Sequence, residues 1–500
     1  MNRLYYGDNL DILKNHIEDE SVDLIYIDPP FNSKRNYNII YDGSTAQAEA
    51  FKDTWSLKGW QDEKRIIFLD EAQRYTSLHR AIEALEKMLI NNNPSLFGYL
   101  VNMAVRIVEL KRVLKSTGSF FLHCDPTASH YLKILLDEIF GRQSFKNEIV
   151  WCYSSPSNTK KCFPHKHDVI FFYAKSKFSH FYADSVRVPY AKSLRAAKSR
   201  TGIFAKKYYD NIDQKIQAYD EKGKIVEDWW TDISPVGRTK EVLHFETQKP
   251  EQLLERIIIS TTKEGDVILD AFCGCGTTIV TAQKLNRSWI GIDITFLSID
   301  LIRQRLIDSF YLDTLGLDEK QAKKRFDKEV CIFGIPRDIE GAGQLATQTK
   351  GDRVRKEFEK WAIFSVGGVF TERKGADQGF DGYFYIQEPD SKGIIRKVKC
   401  LIQVKSGTVG VGYIREFSSI LDREGSPIGI FITLENPTTG MITEVARMPK
   451  YESGVGKALN RIYIVTAQNI LDDELPHLPI TRATKQARFI HPENEQNSIL

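Results

Sequence analysis

Strand-length apolar runs that stop at an aspartate and open a loop constrain this chain more than any other feature. Val22-Asp23-Leu24-Ile25-Tyr26-Ile27 runs into Asp28-Pro29-Pro30-Phe31. Far downstream, Val267-Ile268-Leu269 runs into Asp270-Ala271-Phe272-Cys273-Gly274-Cys275-Gly276-Thr277-Thr278, and Gly291-Ile292 ends in the same way at Asp293. Short apolar runs that alternate with helical periodicity are the pattern of βαβ units, hence of a largely parallel sheet. In open sheets of that kind ligands bind beyond the carboxyl ends of the strands. Each of these loops is therefore predicted at a ligand-binding edge.

The alternation continues through about the first 310 residues. Helices are expected near Tyr99–Leu114, Ser129–Phe140, Pro250–Thr262, Thr277–Leu285 and Phe296–Leu306. Strands are expected at Ser119–His123, Trp289–Ile292 and near Asn147–Tyr153 and Asp168–Tyr173. Between about Phe178 and Leu243 the pattern gives way to a polar, aromatic and basic stretch with Trp229-Trp230 and Pro235. The charged segment Asp318–Glu329 and the Gly, Gln and Thr-rich segment Gly341–Gly351 read as a connector, which puts a domain boundary near 335–350. Beyond it a helix (Asp352–Ala362) precedes strands near Gly379–Gln387, Lys397–Lys405, Ile428–Leu434 and Arg461–Val465. The fold class is α/β, in two parts: residues 1–335 with an insertion at about 178–243, and a smaller part at 350–500.

Composition narrows the setting. The chain has 500 residues, 42% hydrophobic and 27% charged, as in a globular protein of two to four domains. No window of about 18 apolar residues occurs, so no membrane span is expected, and the N-terminus lacks the apolar core of a secretory signal. Seven cysteines without a regular framework fit free thiols in a reducing compartment, so a cytoplasmic location is expected. Cys152, Cys162, His165 and His167 are too irregularly spaced to read as a zinc site. The net charge of +3 does not by itself announce nucleic acid. Basic residues cluster locally, however, from Lys160-Lys161 and Lys166 through Lys175, Lys177, Arg187, Lys192, Arg195, Lys198, Arg200, Lys206 and Lys207, where they could neutralise phosphates or form a solvated face.

Two chemistries follow from the loops. Gly274-Cys275-Gly276, between a strand and a helix, lets backbone approach a ligand where a side chain would collide. Asp293, at the end of the next strand, can accept both hydroxyls of a ribose. Together these favour a nucleoside-containing cofactor. Asp28 and the Pro29 carbonyl offer two acceptors for an amino group on a planar base, Phe31 offers a stacking face, and Pro29 and Pro30 stiffen the loop. Two acceptors on an exocyclic amine oppose delocalisation of its lone pair into the ring and so raise its nucleophilicity.

In this order the two loops resemble those of the β-class DNA amino-methyltransferases, which use S-adenosylmethionine on a Rossmann-like domain. Asn32–Asn38, Phe51–Trp55 and Gly118–Asp125 extend the resemblance to the adenine-specific members over nearly the whole first 310 residues. The resemblance implies that Thr247-Gln248-Lys249-Pro250 helps hold the methionine end of the cofactor, with Asp270 near its amine. It brings Asp8 of Gly7-Asp8 to the adenine end, places Phe272, Gly274 and Gly276 in the cofactor loop, and makes Thr277 and Thr278 the caps of the following helix. Cys273 and Cys275 depart from the commoner proline-rich, serine-containing loop. Asp at position 28 favours adenine N6, since cytosine-N4 enzymes more often carry Ser there; cytosine N4 is the alternative. An acceptor in RNA or a protein amide ranks lower, because amide methylators usually begin this loop with Asn. Reaching an amine inside double-stranded DNA requires base flipping. The stretch at about 178–243 is the expected target-recognition region, assisted by the insertion at about Tyr41–Pro94.

Asp381 closes Gly375–Gly382 ahead of a strand, and the next strand ends in Gln403-Val404-Lys405. A carboxylate on one strand with Gln-x-Lys on its neighbour can bind Mg²⁺ and orient a water for phosphodiester attack, with Glu357 as an outer ligand. This resembles the PD-(D/E)xK restriction-endonuclease superfamily, in particular its modification-dependent branch, where Gln replaces the usual acid. The combined expectation is a DNA adenine-N6 methyltransferase fused to a restriction-endonuclease-like domain of a restriction-modification system. A C-terminal module that binds DNA without cutting is the alternative, and a homodimer is allowed.

Overall fold

A computed structural model describes residues 2–30, 76–153, 159–188, 223–236, 248–312, 315–336, 338–347, 352–371, 379–389, 395–454 and, apart from 457, 473 and 477, 456–478. Its first sheet is built from β1 (Asn2–Tyr6), β2 (Val22–Ile27), β3 (Leu114–Cys124), β4 (Phe145–Cys152) and β5 (His167–Ala174). After the short pair β6 (Arg187–Val188) and β7 (Lys224–Ile225), it is completed by β8 (Trp229–Trp230), β9 (Val267–Asp270), β10 (Ser288–Asp293) and β11 (Val330–Phe333). The nine strands run in the order β11-β1-β10-β9-β2-β3-β5-β4-β8.

Strand periodicity sorts the side chains onto two faces. Tyr5, Ile25, Ile27, Phe120, Leu122, Phe171, Leu269 and Ile290 pack under the helices Asn9–His16, Thr76–Leu89, Pro94–Val113 and Ser129–Phe140. Leu4, Leu24, Tyr26, Phe121, Phe172, Ile268 and Trp289 pack under Glu251–Thr261, Thr277–Lys284, Phe296–Leu306 and Glu319–Glu329. A sheet covered on both faces has strands apolar on both sides, and each fully buried large side chain contributes about 1.5–3 kcal/mol.

The sheet is largely parallel, as expected, with β5 running antiparallel to both of its neighbours, β3 and β4. The link from Cys152 to His167 holds Pro156 and Pro164 and no helical pattern, and its described residues 159–166 contain no helix before β5 returns beside β4. The connector expectation needs correction, since both of its segments are helical where they are described. Asp318 caps the helix Glu319–Glu329, Ala322, Phe326 and Val330 bury one face at fourfold spacing, and β11 then pairs with β1 as the edge strand. Ile339–Thr347 is likewise helical, with Asp338 accepting from the Gly341 amide at 2.7 Å.

The second sheet comprises β12 (Val369–Phe370), β13 (Gly382–Pro389), β14 (Ile395–Lys405) and β15 (Gly429–Thr433). After the small hairpin β16 (Tyr451–Glu452) and β17 (Ala458–Leu459) it is closed by β18 (Ile462–Thr466), in the order β12-β13-β14-β15-β18. β13 runs antiparallel to both of its neighbours, β12 and β14, and β14, β15 and β18 run parallel, crossed over by the helices Val411–Arg423 and Thr439–Arg447. The helix Asp352–Ser365 covers the other face, where Phe358, Ala362 and Ile363 meet Ile402, Val404 and Ile430. None of the described helices is long and apolar enough to cross a membrane.

Candidate active site

Strand order brings the distant loops together. β9 lies between β10 and β2, and all three are parallel, so Asp293, Asp270 and Asp28 leave neighbouring strands at one edge. β1 adds Gly7-Asp8 to the same edge, and the Gly7 amide donates to the Asp293 carbonyl at 3.0 Å.

The glycine loop is held by carboxylates. Asp270 is 3% exposed; its carboxylate accepts from the Phe272 amide at 3.0 Å and the Thr278 hydroxyl at 2.6 Å. Burial is the main cause that pushes its pKa up to about 7; these two hydrogen bonds oppose the rise, and the charges of Asp28 and Asp293 add to it. Asp293 accepts from the Gly274 amide at 2.9 Å and from the amide and hydroxyl of Thr295, each at 2.8 Å. Its pKa is also raised, first by burial. Gly276 has φ +80°, and a Cβ there would meet Ile302 Cγ1 at 2.5 Å, so both backbone and packing require glycine. Gly276 is itself the N-cap of the helix Thr277–Lys284, without a side-chain cap. This corrects the capping role expected of Thr277 and Thr278: both are buried, and Thr278 is spent on Asp270. Cys273 and Cys275 are buried and their thiols pushed up by desolvation, so they act as packing groups rather than nucleophiles.

Asp8 caps the helix Asn9–His16 and is gripped by Arg106, whose Nη2 donates to its oxygens at 2.9 and 3.2 Å. Arg106 also donates to Asn9 Oδ1 at 2.6 Å, and the Asn9 amide group donates to the Ala271 carbonyl at 2.7 Å. Sequence reading missed Arg106 and Asn9. A buried arginine on an apolar helix was the available signal.

On the other side of the edge, Asp28 forms a half-buried ion pair with Lys249. Lys249, expected at the methionine end of the cofactor, sets its ammonium on the Asp28 carboxylate. Pro29 is buried, Pro30 half-buried, and Pro250 starts the helix Glu251–Thr261. Phe31, Thr247, Asn32–Asn38 and Phe51–Trp55 lie outside the described residues. Beneath Asp28 runs a second feature that sequence reading missed. Tyr26 Oη meets His123 Nδ1 at 2.9 Å, and His123 Nε2 meets Asp168 Oδ2 at 3.1 Å. Asp168 Oδ1 accepts from the Tyr153 hydroxyl at 3.2 Å. Burial raises Tyr26, reinforced by the charges of Asp28, Asp270 and Asp168, so its phenol stays protonated. For Asp168, burial acts upward, but the bond and charge of His123, the charge of Lys249 and the Tyr153 bond together hold it below the usual carboxylate value.

The reversal of β5 divides the basic cluster. The exposed Lys160 and Lys161 precede β5 at the Asp28 edge, whereas Lys175 follows it at the opposite edge, bound to Glu20 and to the Leu114 carbonyl. Arg187 is paired with Asp184 at 2.6 Å. The described start of the expected recognition stretch, Phe178–Val188, is also at that far edge, where the Tyr182 amide donates to the Ser260 carbonyl at 2.7 Å. Its described later part returns: β8 pairs in parallel with β4, Trp230 is buried beneath Arg256, and Trp229 is 56% exposed. Residues 192–207 lie outside the described residues, as does the insertion up to residue 75.

In the second sheet Asp381 immediately precedes β13 and stands opposite Gln403 of β14. Its Oδ2 accepts from the Val404 amide at 2.7 Å. Gln403 is 2% exposed; its Nε2 donates to the Gly379 carbonyl at 2.7 Å, and its Oε1 has no hydrogen-bond partner among the described residues. Lys405 lies over the Tyr413 ring at 5.8 Å. The structure thus brings Asp381, Gln403 and Lys405 to adjacent strands, while the Glu357 side chain lies outside what is described. No group of three or more His, Cys, Asp and Glu suited to a metal occurs among the described residues.

Comparison with known proteins agrees with both halves. The family profile described as DNA methylase matches residues 22–303, more than half of the chain, and one described as restriction endonuclease matches residues 356–462. Type II methyltransferase M.BglII of Bacillus subtilis is 27% identical over 315 residues, covering 61% of this chain and 69% of that protein. DNA adenine methyltransferase YhdJ of Escherichia coli strain K12 is 27% identical over 340 residues, 67% of this chain and 94% of that protein. Among solved structures, the cytosine-N4-specific PvuII DNA methyltransferase is similar over 66% of this chain and 92% of its own, at 15% identity and a TM-score of 0.39.

Proposed function

Because the chain belongs to the DNA methylase family, we propose that it transfers a methyl group from S-adenosylmethionine to adenine N6 at a specific site in double-stranded DNA. The observation that carries this reading is the adjacency of β2 and β9, which sets the amine-binding loop of Asp28 beside the glycine loop at one sheet edge. The adenine choice rests on Asp at position 28 and on the likeness to YhdJ, which is named as an adenine methyltransferase. Cytosine N4 is the alternative.

The residues at this edge fit the cofactor. Two positive-φ glycines bare the backbone at the N-terminus of the helix Thr277–Lys284, while Asp293, Asp8 and Asp270 offer carboxylates for hydroxyl and ammonium groups. When bound, S-adenosylmethionine supplies an electrophilic methyl on sulfur. Lys249, Pro250, Phe272, Gly274, Gly276, Thr277, Thr278 and Thr247 complete the proposed cofactor surface. Asp28 and the Pro29 carbonyl accept the hydrogens of the target amine, Phe31 stacks on the base, and Pro30 stiffens the loop. Asp28 would stay hydrogen-bonded to the amine as it gains the methyl and would receive the proton that N6 sheds. The test is Asp28→Ala, expected to abolish methylation detected by long-read sequencing while cofactor binding persists; retained methylation would sink the assignment.

The proposed parts are residues 1–335 for methyl transfer, with recognition from about 178–243, and 350–500 for the restriction-endonuclease-like part. The second site fits a hard cation: Asp381 supplies charge, the orphaned Gln403 oxygen supplies a neutral ligand, and Glu357 is the outer candidate. Mg²⁺ there would polarise a phosphodiester, and Lys405 would orient the attacking water. Because Gln403 brings no charge, a DNA-binding module that does not cut is the second reading. Mg²⁺-dependent cleavage lost in Lys405→Ala would exclude it. A DNA substrate and seven cysteines without a regular framework fit the reducing cytoplasm.

A further inference from the structure

We infer that Phe163, with Lys160 and Lys161 beside it, is a wedge that enters the DNA duplex and fills the gap left when the target adenine turns into the Asp28 loop. This rests on the reading of that loop as the amine site and names the group that holds the duplex open.

Phe163 is 95% exposed, the most of any large apolar side chain among the described residues. Single exposed apolar residues are common, so exposure alone decides nothing. Its place in the fold decides more. The hairpin of β4 and β5 closes at the Asp28 edge, where the Tyr153 amide donates to the Lys166 carbonyl at 3.0 Å beyond the last ladder pair, Cys152 with His167. Lys160, Lys161 and Phe163 stand exposed on the loop above that clamp. Two ammonium groups beside a bare ring match a phosphate backbone with stacked bases behind it, whereas a purely apolar partner would leave both charges unanswered. Pro164 confines the Phe163 backbone to extended conformations, so little freedom is lost when the ring inserts. The base of the hairpin is also tied to the amine-binding strand. The Tyr153 hydroxyl donates to Asp168, Asp168 meets His123, and His123 meets Tyr26, two residues before Asp28. In the order β2-β3-β5-β4 the hairpin stands two and three strands from β2, about 10–14 Å along the edge. A base turned by about 180° out of its stack comes to rest away from the gap that it leaves. Phe31 is the stacking face proposed for the base, which leaves the gap to Phe163.

The experiment uses the full chain, without cofactor, and two duplexes of the sequence that wild type methylates, one with 2-aminopurine at the target adenine and one with an abasic nucleotide there. Flipping by wild type should raise the fluorescence of the first. Phe163→Ala should fold as wild type does, bind both duplexes about tenfold more weakly, and lower the fluorescence gain at saturating protein about threefold or more. Phe163→Leu should restore part of each loss, since an aliphatic wedge also fills the gap. Lys160→Ala combined with Lys161→Ala should reduce the steepness of log affinity against log salt by about 2 and leave the fluorescence gain at saturation in place. Wild-type affinity and fluorescence gain in Phe163→Ala would overturn the proposal. So would a loss on the 2-aminopurine duplex that vanishes on the abasic one, because the ring would then stack on the flipped base. Altered self-association of Phe163→Ala with unchanged DNA binding would overturn it in favour of a contact between copies. Methylation by wild type is scored separately, and its absence would remove the reading of the Asp28 loop itself.

Discussion

Asp270 illustrates what a buried carboxylate costs the folded protein. Its folded pKa of about 7 lies well above the value of about 4 for an unfolded aspartate. The folded state therefore binds the extra proton. The stability linked to this group is fully present below about pH 4 and is lost as pH rises toward 7. Asp270→Asn removes the buried charge, so the cofactor-free variant should exceed wild type at pH 8 by roughly 1–3 kcal/mol more than it does at pH 5, measured by urea unfolding at both values. The same variant should bind the cofactor more weakly, since a neutral amide no longer attracts its ammonium. Gly276→Ala tests the loop from the other direction. Its φ of +80° and the 2.5 Å approach to Ile302 Cγ1 should cost about 1–3 kcal/mol in unfolding free energy, with loss of cofactor binding by calorimetry.

Elements were legible where a pattern and its terminator lay next to each other in sequence. Val22–Ile27 before Asp28, and Val267–Leu269 before Asp270, declare both a strand and the edge at which it ends. The order of those strands is a long-range property, and only the structure shows β9 between β10 and β2. The Tyr26–His123–Asp168–Tyr153 network was illegible for the same reason. It needs β5 to return antiparallel beside β3, and no residue of His167–Ala174 marks direction. Charge density hid the helix Glu319–Glu329, because among its described side chains only Ala322, Phe326 and the following Val330 are buried. Phe326 is fully buried against Tyr311 and fixes the helix that carries β11 to the sheet edge. Phe326→Ala should therefore destabilise by about 3–5 kcal/mol in denaturant unfolding, despite lying in a segment that reads as a linker.

At the scale of the whole molecule, the two halves meet beside the sheet edge that carries Asp8 and Asp293 rather than across a bare tether. Phe296, 8% exposed, starts the helix that follows Asp293, and its ring stacks on Phe364 of the helix Asp352–Ser365 at 6.0 Å. It also meets Tyr6, the residue before Gly7-Asp8, at 6.3 Å. The backbone segments that carry Asp8 and Asp293 thus pack on Phe296, whose ring is in turn covered by Phe364 of the restriction-endonuclease-like half. Removing that half uncovers Phe296 and loosens both segments. A chain ending at residue 348 should keep its methylation sequence but bind cofactor about two- to tenfold more weakly by calorimetry, and Phe364→Ala in the full chain should reproduce part of that loss. Lys405→Ala should leave cofactor affinity unchanged, because it alters the distant end of β14 and not the seam. Equal affinity in the shortened chain, the full chain and Phe364→Ala would mean that the halves share a polypeptide without sharing stability at the site.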